Sequence, residues 1–259
     1  MVDTTPLNER VVLLTGATGD IGACYLRAFT AAGASVVATD VPATAEQGAR
    51  LVDTVNARGP GRAAFAPCDV TDQESVDAAV ETCHSEFGAL HSVVNNAAIY
   101  GALGEKKPLT ELTIDEWDLV LRVNVRGSWQ VIKAAVPALS ASGDGRIVNV
   151  ASAVSRNGAP GFAHYVASKA AIEGLTRAAA RELGKDGITV NAVSPGLVDD
   201  AATRSINNEQ YLATVSSTRA IPRAMVPEDL VGAVLWLSGP ESGFITGQVL
   251  VVDGGGVFV

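Results

Sequence analysis

Tyr165-Val166-Ala167-Ser168-Lys169 places a phenol and an ammonium four residues apart, on one face of any helix that carries them. A free phenol titrates near ~10 and a neighbouring cation favours its phenolate, so such a pair can act as an acid/base poised nearer neutrality. By itself the pair is weak evidence, since a partly buried tyrosine and a solvated lysine fit the same pattern. Two further residues reverse that judgement. Ser152 follows the run Arg146-Ile147-Val148-Asn149-Val150, 13 residues before Tyr165, and Asn124 sits 28 residues before Ser152 in a helical stretch. Asparagine is a poor helix-interior residue unless its amide has a specific partner.

A second constellation lies in Thr15-Gly16-Ala17-Thr18-Gly19-Asp20-Ile21-Gly22. Gly16, Gly19 and Gly22 permit a tight turn in which backbone N–H groups approach a pyrophosphate at the positive end of a helix. Glycines also mark turns that hold nothing, but this turn directly follows a β-branched run. Asp40 comes 18 residues after Gly22. A carboxylate there accepts hydrogen bonds from both ribose hydroxyls of NAD and repels the 2'-phosphate of NADP. Its ordinary alternative is a turn or cap residue. Positions 17–20 carry no Lys or Arg, and Asp20 adds negative charge, so NAD(H) is the expected cofactor.

The elements that must position these residues alternate in type. Apolar runs at 11–14, 35–39, 63–67, 90–94, 146–150, 189–193 and 249–252 read as strands, and amphipathic stretches at 21–32, 43–57, 72–87, 115–139, 162–183 and 227–237 read as crossover helices. Thr71 with Glu74 reads as a capping box, and Gly88 and Gly184 as helix C-terminal caps. The pattern predicts an α/β fold, a doubly wound seven-stranded parallel sheet with helices on both faces, in a single domain over 1–259. Two long irregular segments, 99–111 and 197–223, follow strands on the carboxyl side, where such sheets bind ligands; the second is the expected substrate loop.

Composition narrows the partners. Of 259 residues 47% are apolar, which suits a folded core, and the formal charge of -9 disfavours nucleic acid and anionic membrane surfaces. No apolar run approaches the ~20 residues of a membrane span. Cys24, Cys68 and Cys83 form no C-x-x-C pair, and residues 1–10 lack an export signal, so the expected location is cytoplasmic.

In its glycine turn, Asp40, Asp69-Val70, Asn95-Asn96-Ala97-Ala98, Asn124, Ser152, Tyr165-x-x-x-Lys169, Asn191, Pro195-Gly196, Ile245-Thr246-Gly247 and Val252-Asp253-Gly254-Gly255, the chain resembles the short-chain dehydrogenase/reductase family in its small single-domain branch. The resemblance implies a Rossmann-type fold, with Tyr165 as general acid/base and Ser152 polarising the substrate oxygen. It also implies that Lys169 binds the nicotinamide ribose and lowers the tyrosine pKa, while Asn124 holds a water in the proton relay. Cofactor contacts are then expected from Gly16, Thr18, Gly19, Asp20, Ile21, Asp40, Tyr165 and Lys169, from Asp69 and Val70 at the adenine, and from Asn96, Ala97 and Ala98 along the adenosine ribose. Pro195, Gly196, Leu197 and Val198 would run beside the nicotinamide. No metal is required. Three positions depart from the family pattern: Asp20 stands for the middle glycine of the turn, Ala98 for a glycine, and Asp200 for a threonine, with Thr203 nearby.

The substrate pocket is expected from 153–162, 99–104 and the loop after Gly196. Ile99, Tyr100, Leu103, Val154 and Phe162 suggest an apolar chamber, while Asp199, Asp200, Arg204, Glu209 and Tyr211 add polar options. The expected activity is NAD-dependent interconversion of a secondary alcohol and a ketone, on a hydrophobic or cyclic/aromatic substrate. An NADPH-dependent 3-oxoacyl thioester reductase is the enzymatic alternative, disfavoured by the acidic chain; a non-catalytic NAD-binding sensor or scaffold is the other. The resemblance further implies a homo-oligomer, a tetramer, with 162–183 and 257–259 as interface elements. His84 and His91 read as structural or surface residues, and His164 should point away from the face of Tyr165.

Overall fold

The computed structural model describes residues 7–258; residues 1–6 of the segment read for export signals, and Val259 of the tail, lie outside it. Seven parallel strands form one sheet in the order β3-β2-β1-β4-β5-β6-β7. They are β1 Val11–Thr15, β2 Ser35–Asp40, β3 Arg62–Pro67, β4 Ser92–Asn95, β5 Gly145–Val150, β6 Ile188–Pro195 and β7 Val249–Val252. Strands β1 and β4 are neighbours, with Val12 opposite Ser92 and Leu14 opposite Val94. The chain therefore reverses its winding direction between them. Loops after β1 and β4 diverge there and leave a crevice at the carboxyl edge.

Helices cover both faces: α1 Asp20–Ala31, α2 Ala45–Asn56, α3 Gln73–Phe87, α4 Ile114–Leu121, α5 Ser128–Ser142, α6 Val154–Asn157, α7 Ala163–Leu183, α8 Ala201–Ile206, α9 Glu209–Ser217 and α10 Glu228–Ser238. Strand side chains alternate between two cores. Val12, Leu14, Val36, Val148 and Val193 join Tyr25, Leu26 and Phe29 of α1 and Leu230 and Val234 of α10. Leu13, Val37, Val93, Ile147 and Val190 face α3, α5 and α7 through Val76, Val80, Ala135, Leu139 and Ala179. Burial on both faces explains why the strands read as nearly continuous apolar runs. Among the described residues no helix is long and apolar enough to cross a membrane.

Four details correct the sequence expectations. The stretch 115–139 is not one α-helix: Arg122–Gly127 is a π-helical turn between α4 and α5. Gly127 there passes so close to Val70 that a Cβ would lie 2.7 Å from Val70 Cγ2. The Thr71 capping box does not form, because Asp72 takes the N-cap and its carboxylate accepts from the Glu74 N–H. Gly88 ends α3 in the left-handed region, but Gly184 is right-handed and the left-handed stop falls at Gly187. The segment 197–223 is not wholly irregular, for Asp200 and Asn208 cap the short helices α8 and α9.

Gly22 is fixed by packing rather than by turn propensity. A Cβ on it would lie 2.0 Å from the Gly16 carbonyl oxygen, which is backbone and cannot swing aside. Gly22→Ala should therefore lower the unfolding free energy by about 1–3 kcal/mol, as overpacked sites do. Urea denaturation reads this, and an unchanged midpoint would contradict the packing argument.

Candidate active site

The glycine turn is held from β4. Thr15 Oγ1 accepts the N–H groups of Asn96 (3.1 Å) and Ala97 (3.0 Å), and Asn96 Nδ2 donates to the carbonyls of Thr15 and Gly16. Gly16 has φ +66°, and a Cβ there would meet Ala97 Cα at 2.8 Å; Gly19 has no heavy atom nearer than 3.9 Å. Tight crossing of the two loops thus requires glycine at 16, close passage of α1 over its own turn requires it at 22, and position 19 is open. No side chain caps α1 at Gly19, so the first N–H groups of the helix remain available to an anion. Such a cradle fits a dinucleotide pyrophosphate.

Asp40 closes β2 at the rim of the same cleft. Its Oδ2 accepts from the Thr18 N–H (2.9 Å) and hydroxyl (2.6 Å), and its Oδ1 from the Val41 N–H (2.8 Å). Two carboxylate oxygens offer about four acceptor sites, so capacity remains for ribose hydroxyls. Asp20 instead reaches across the cleft, where Oδ2 accepts the Ala201 N–H at the start of α8 (2.8 Å). Asp69, Val70, Asn96, Ala97, Ala98 and the run Pro195 to Val198 all line one cleft with Gly16, Thr18, Gly19, Asp20, Ile21 and Asp40, enclosing about 1030 Å³. Asp69 binds Thr71 through N–H and hydroxyl, while Arg219 Nη2 donates to the Leu197 carbonyl (2.7 Å). Ala98 does not have positive φ, so glycine is not needed there.

Ser152, Tyr165 and Lys169 line the other end of the cleft; Asn124 stands behind it, 1% exposed. The π turn gives Asn124 the partners that a helix-interior asparagine needs. Its Oδ1 accepts the Ile99 N–H (2.8 Å) and its Nδ2 donates to Ser168 Oγ (3.1 Å), while Ser128 Oγ donates to its carbonyl (2.9 Å). Tyr165 and Lys169 come from the first turns of α7, and Lys169 Nζ donates to the Val150 carbonyl at 2.7 Å.

The electrostatics differ from the sequence expectation. Burial pushes the Tyr165 phenol well above its ordinary value, Tyr100 adds to the rise, and the neighbouring Ser152 side chain opposes it. Lys169 Nζ lies 5.7 Å from the Tyr165 ring centroid, and burial lowers its own pKa to about 8. Burial thus shifts both groups in the direction of their uncharged forms.

Tyr100 is in the pocket as expected, but its contact with Tyr165 is one that spacing did not reveal. Its ring packs on Tyr165 with centroids 5.0 Å apart and on Phe162 at 6.2 Å. Ile99, Tyr100, Val154, Asp200, Tyr211 and Thr203 line the cleft, whereas Leu103 and Phe162 do not, Phe162 being buried behind Tyr100. Asp199 and Arg204 pair with each other outside the cleft, and Glu209 is exposed on the first turn of α9. Asp200 is spent largely on capping α8 through the Thr203 N–H. Lys106 ties the two irregular segments together, donating to Asn207 (2.9 Å) with its ammonium 4.2 Å from the Tyr211 ring centroid. His164 turns its Nδ1 to the Tyr165 N–H, and His91 accepts the Val11 N–H; neither lines the cleft. Among the described residues no three His, Cys, Asp or Glu side chains group as metal ligands.

Comparison with known proteins agrees with this geometry. Residues 16–256 match a family model described as enoyl-(acyl carrier protein) reductase. The chain is 35% identical over 250 residues to a 3-oxoacyl-(acyl-carrier-protein) reductase of Vibrio harveyi, covering 96% of this chain and 98% of the relative. It is 36% identical to a cyclohexanol dehydrogenase of Acinetobacter, covering 95% and 94%. A crystal structure of a dehydrogenase/reductase from Sinorhizobium meliloti superposes with a TM-score of 0.88 at 34% identity, covering 98% of each chain. A sheet wound about a glycine turn, a Ser-Tyr-Lys group at its carboxyl edge and relatives spanning its length lead to one assignment: the chain belongs to the short-chain dehydrogenase/reductase family of oxidoreductases.

Proposed function

We propose that the protein is an NAD(H)-dependent oxidoreductase that interconverts a secondary alcohol and a ketone, on a hydrophobic substrate with a cyclic or aromatic body. The observation that carries this reading is the single cleft shared by Asp40 at one end and Ser152, Tyr165 and Lys169 at the other. A nicotinamide dinucleotide supplies the hydride acceptor or donor when bound. The Tyr165 hydroxyl holds the proton that a ketone oxygen must gain, and in the reverse direction its phenolate takes the proton from the alcohol. Ser152 binds the same substrate oxygen and orients it. Lys169, buried at 4% exposure beside the Val150 carbonyl, is placed to bind a ribose hydroxyl and, when charged, to favour the phenolate. Tyr100 and Tyr211 line this end and supply aromatic surface for a flat apolar body.

NAD(H) rather than NADP(H) follows from the charge at the end of β2. Asp40 would meet a 2'-phosphate with repulsion, and its oxygens are already ordered by Thr18 and Val41. The name of the Vibrio harveyi relative favours a second reading, reduction of a 3-oxoacyl thioester, with NADPH as its cofactor. A homotetramer in a reducing, cytoplasmic compartment belongs to the first reading, supported by exposed Trp129, Trp236, Phe244 and Phe258 and by three buried free thiols.

Three measurements test the proposal. Turnover of a panel of alcohols and ketones, followed by near-ultraviolet absorbance of the reduced nicotinamide, should show NAD(H) preferred and kcat falling by about 10²–10⁴-fold in Tyr165→Phe. Asp40→Ser should shrink the NAD preference. NADPH preference with a 3-oxoacyl thioester supports the second reading, and cofactor binding without any turnover supports a sensor. Secondly, Lys169 is held near 8 against an ordinary 10.5, so the unfolded chain binds this proton more tightly between those values. Its burial costs stability fully below about pH 8, and the cost fades as pH rises towards 10.5. The stability difference between wild type and Lys169→Met should accordingly move in favour of the wild type across that window, and a flat difference would contradict the shift. Thirdly, sedimentation velocity should give a mass of four chains, and a monomer overturns that part.

A further inference from the structure

Glu173 lies one helical turn beyond Lys169 and two beyond Tyr165 on α7, yet it is only 8% exposed. A carboxylate so placed must have partners to offset its lost hydration. Oε1 accepts the Ser155 hydroxyl at 2.5 Å, and Oε2 accepts Arg156 Nη2 at 3.2 Å. Arg177, its i,i+4 neighbour, stands further off at 3.9 Å. The two nearer partners belong to α6, the short turn that begins two residues after Ser152.

A four-residue helix cannot hold itself in place, and Gly158 at φ +68° ends this one at once. Its geometry nonetheless sets that of Ser152. The Val154 N–H points at Ser152 Oγ (3.4 Å), and the Ser155 N–H donates to the Ser152 carbonyl (3.1 Å). Ser155 Oγ lies within 2.8 Å of that carbonyl as well, but a hydroxyl has one proton and the charged carboxylate takes it. Glu173 thus ties the turn carrying Ser152 to the helix carrying Tyr165 and Lys169. It does not line the cleft, so it has no contact with substrate.

We propose that Glu173, acting through Ser155, is the positioning residue that holds Ser152 against Tyr165. The consequence for turnover rests on the alcohol–ketone reading above; the structural link does not. The test uses the full chain and compares Glu173→Ala, Glu173→Gln, Ser155→Ala and the Glu173→Ala/Ser155→Ala double variant. Glu173→Ala should lower kcat on the order of tenfold, as small misplacements of a reacting group do, with KM for NAD unchanged. Glu173→Gln, which keeps an acceptor for Ser155, should recover most of the loss. The double variant should be no slower than the worse single one, because both act through one contact. Independently of turnover, the ring Cζ carbon resonance of Tyr165, assigned with Tyr165→Phe, should move in Glu173→Ala and Ser155→Ala in the direction it moves in Ser152→Ala. Unchanged kcat and an unmoved resonance in folded variants overturn the proposal, as does a double variant that loses the product of the two single effects. A matching resonance shift in a protein that turns over no alcohol upholds the positioning role and rejects the reaction.

Discussion

Helix α7 buries a polar face, and much of the site depends on how each group on it is satisfied. Ser168, Lys169, Glu173 and Thr176 are all nearly inaccessible to solvent. Each reaches a different part of the fold: Ser168 the π turn through Asn124, Lys169 the end of β5 through the Val150 carbonyl, Glu173 the α6 turn, and Thr176 the centre of the sheet through Asn149. Asn149 in turn accepts from Asn95 of β4. An apolar face would pack against the sheet in many nearly equivalent ways, whereas hydrogen bonds to fixed partners admit few. Polar burial here trades stability for placement of Tyr165 and Lys169.

The cofactor half of the cleft rests on a different device, close passage of backbones. Gly16 lets the turn after β1 cross the end of β4, Gly22 lets α1 start hard against that turn, and Thr15 and Asn96 lock the crossing. Segments that follow β4 and β6 then meet over the opening. A Cβ on Gly101 would lie 3.2 Å from Ala202 Cβ, Lys106 spans to Asn207 and Tyr211, and Asp20 reaches the first N–H of α8. The residue that departs from the family pattern in the glycine turn therefore joins that turn to the segment after β6.

The seven strands, their parallel doubly wound arrangement and the long crossover helices were legible because period and length carry them. The Tyr165, Lys169 and Ser152 positions were legible as spacings along single elements. What was not legible depends on contacts between elements distant in sequence. Nothing near Tyr100 signals that its ring will lie on Tyr165, and Ser155 carries no local sign of Glu173, 18 residues on. The π turn escaped because its apolar pattern continues through α4 and α5, although an asparagine within a helical run pointed to it. Helices α8 and α9 escaped for the opposite reason. Their cap residues Asp200 and Asn208 were present, but the helices are too short to establish a period.

The shifted pKa directions give the catalytic group a conditional character. Burial raises Tyr165 and lowers Lys169 to about 8, so each is shifted towards its neutral form, the phenol strongly and the ammonium only enough to titrate just above neutral pH. Hydroxyl groups brought against Lys169 would replace the solvation that burial removed and favour its charged form. A charged Lys169 would in turn lower the phenol, reinforcing the effect of the Ser152 side chain. In the reaction proposed above, the charge state of the pair would then respond to what binds beside it, because buried charges interact strongly with their neighbours.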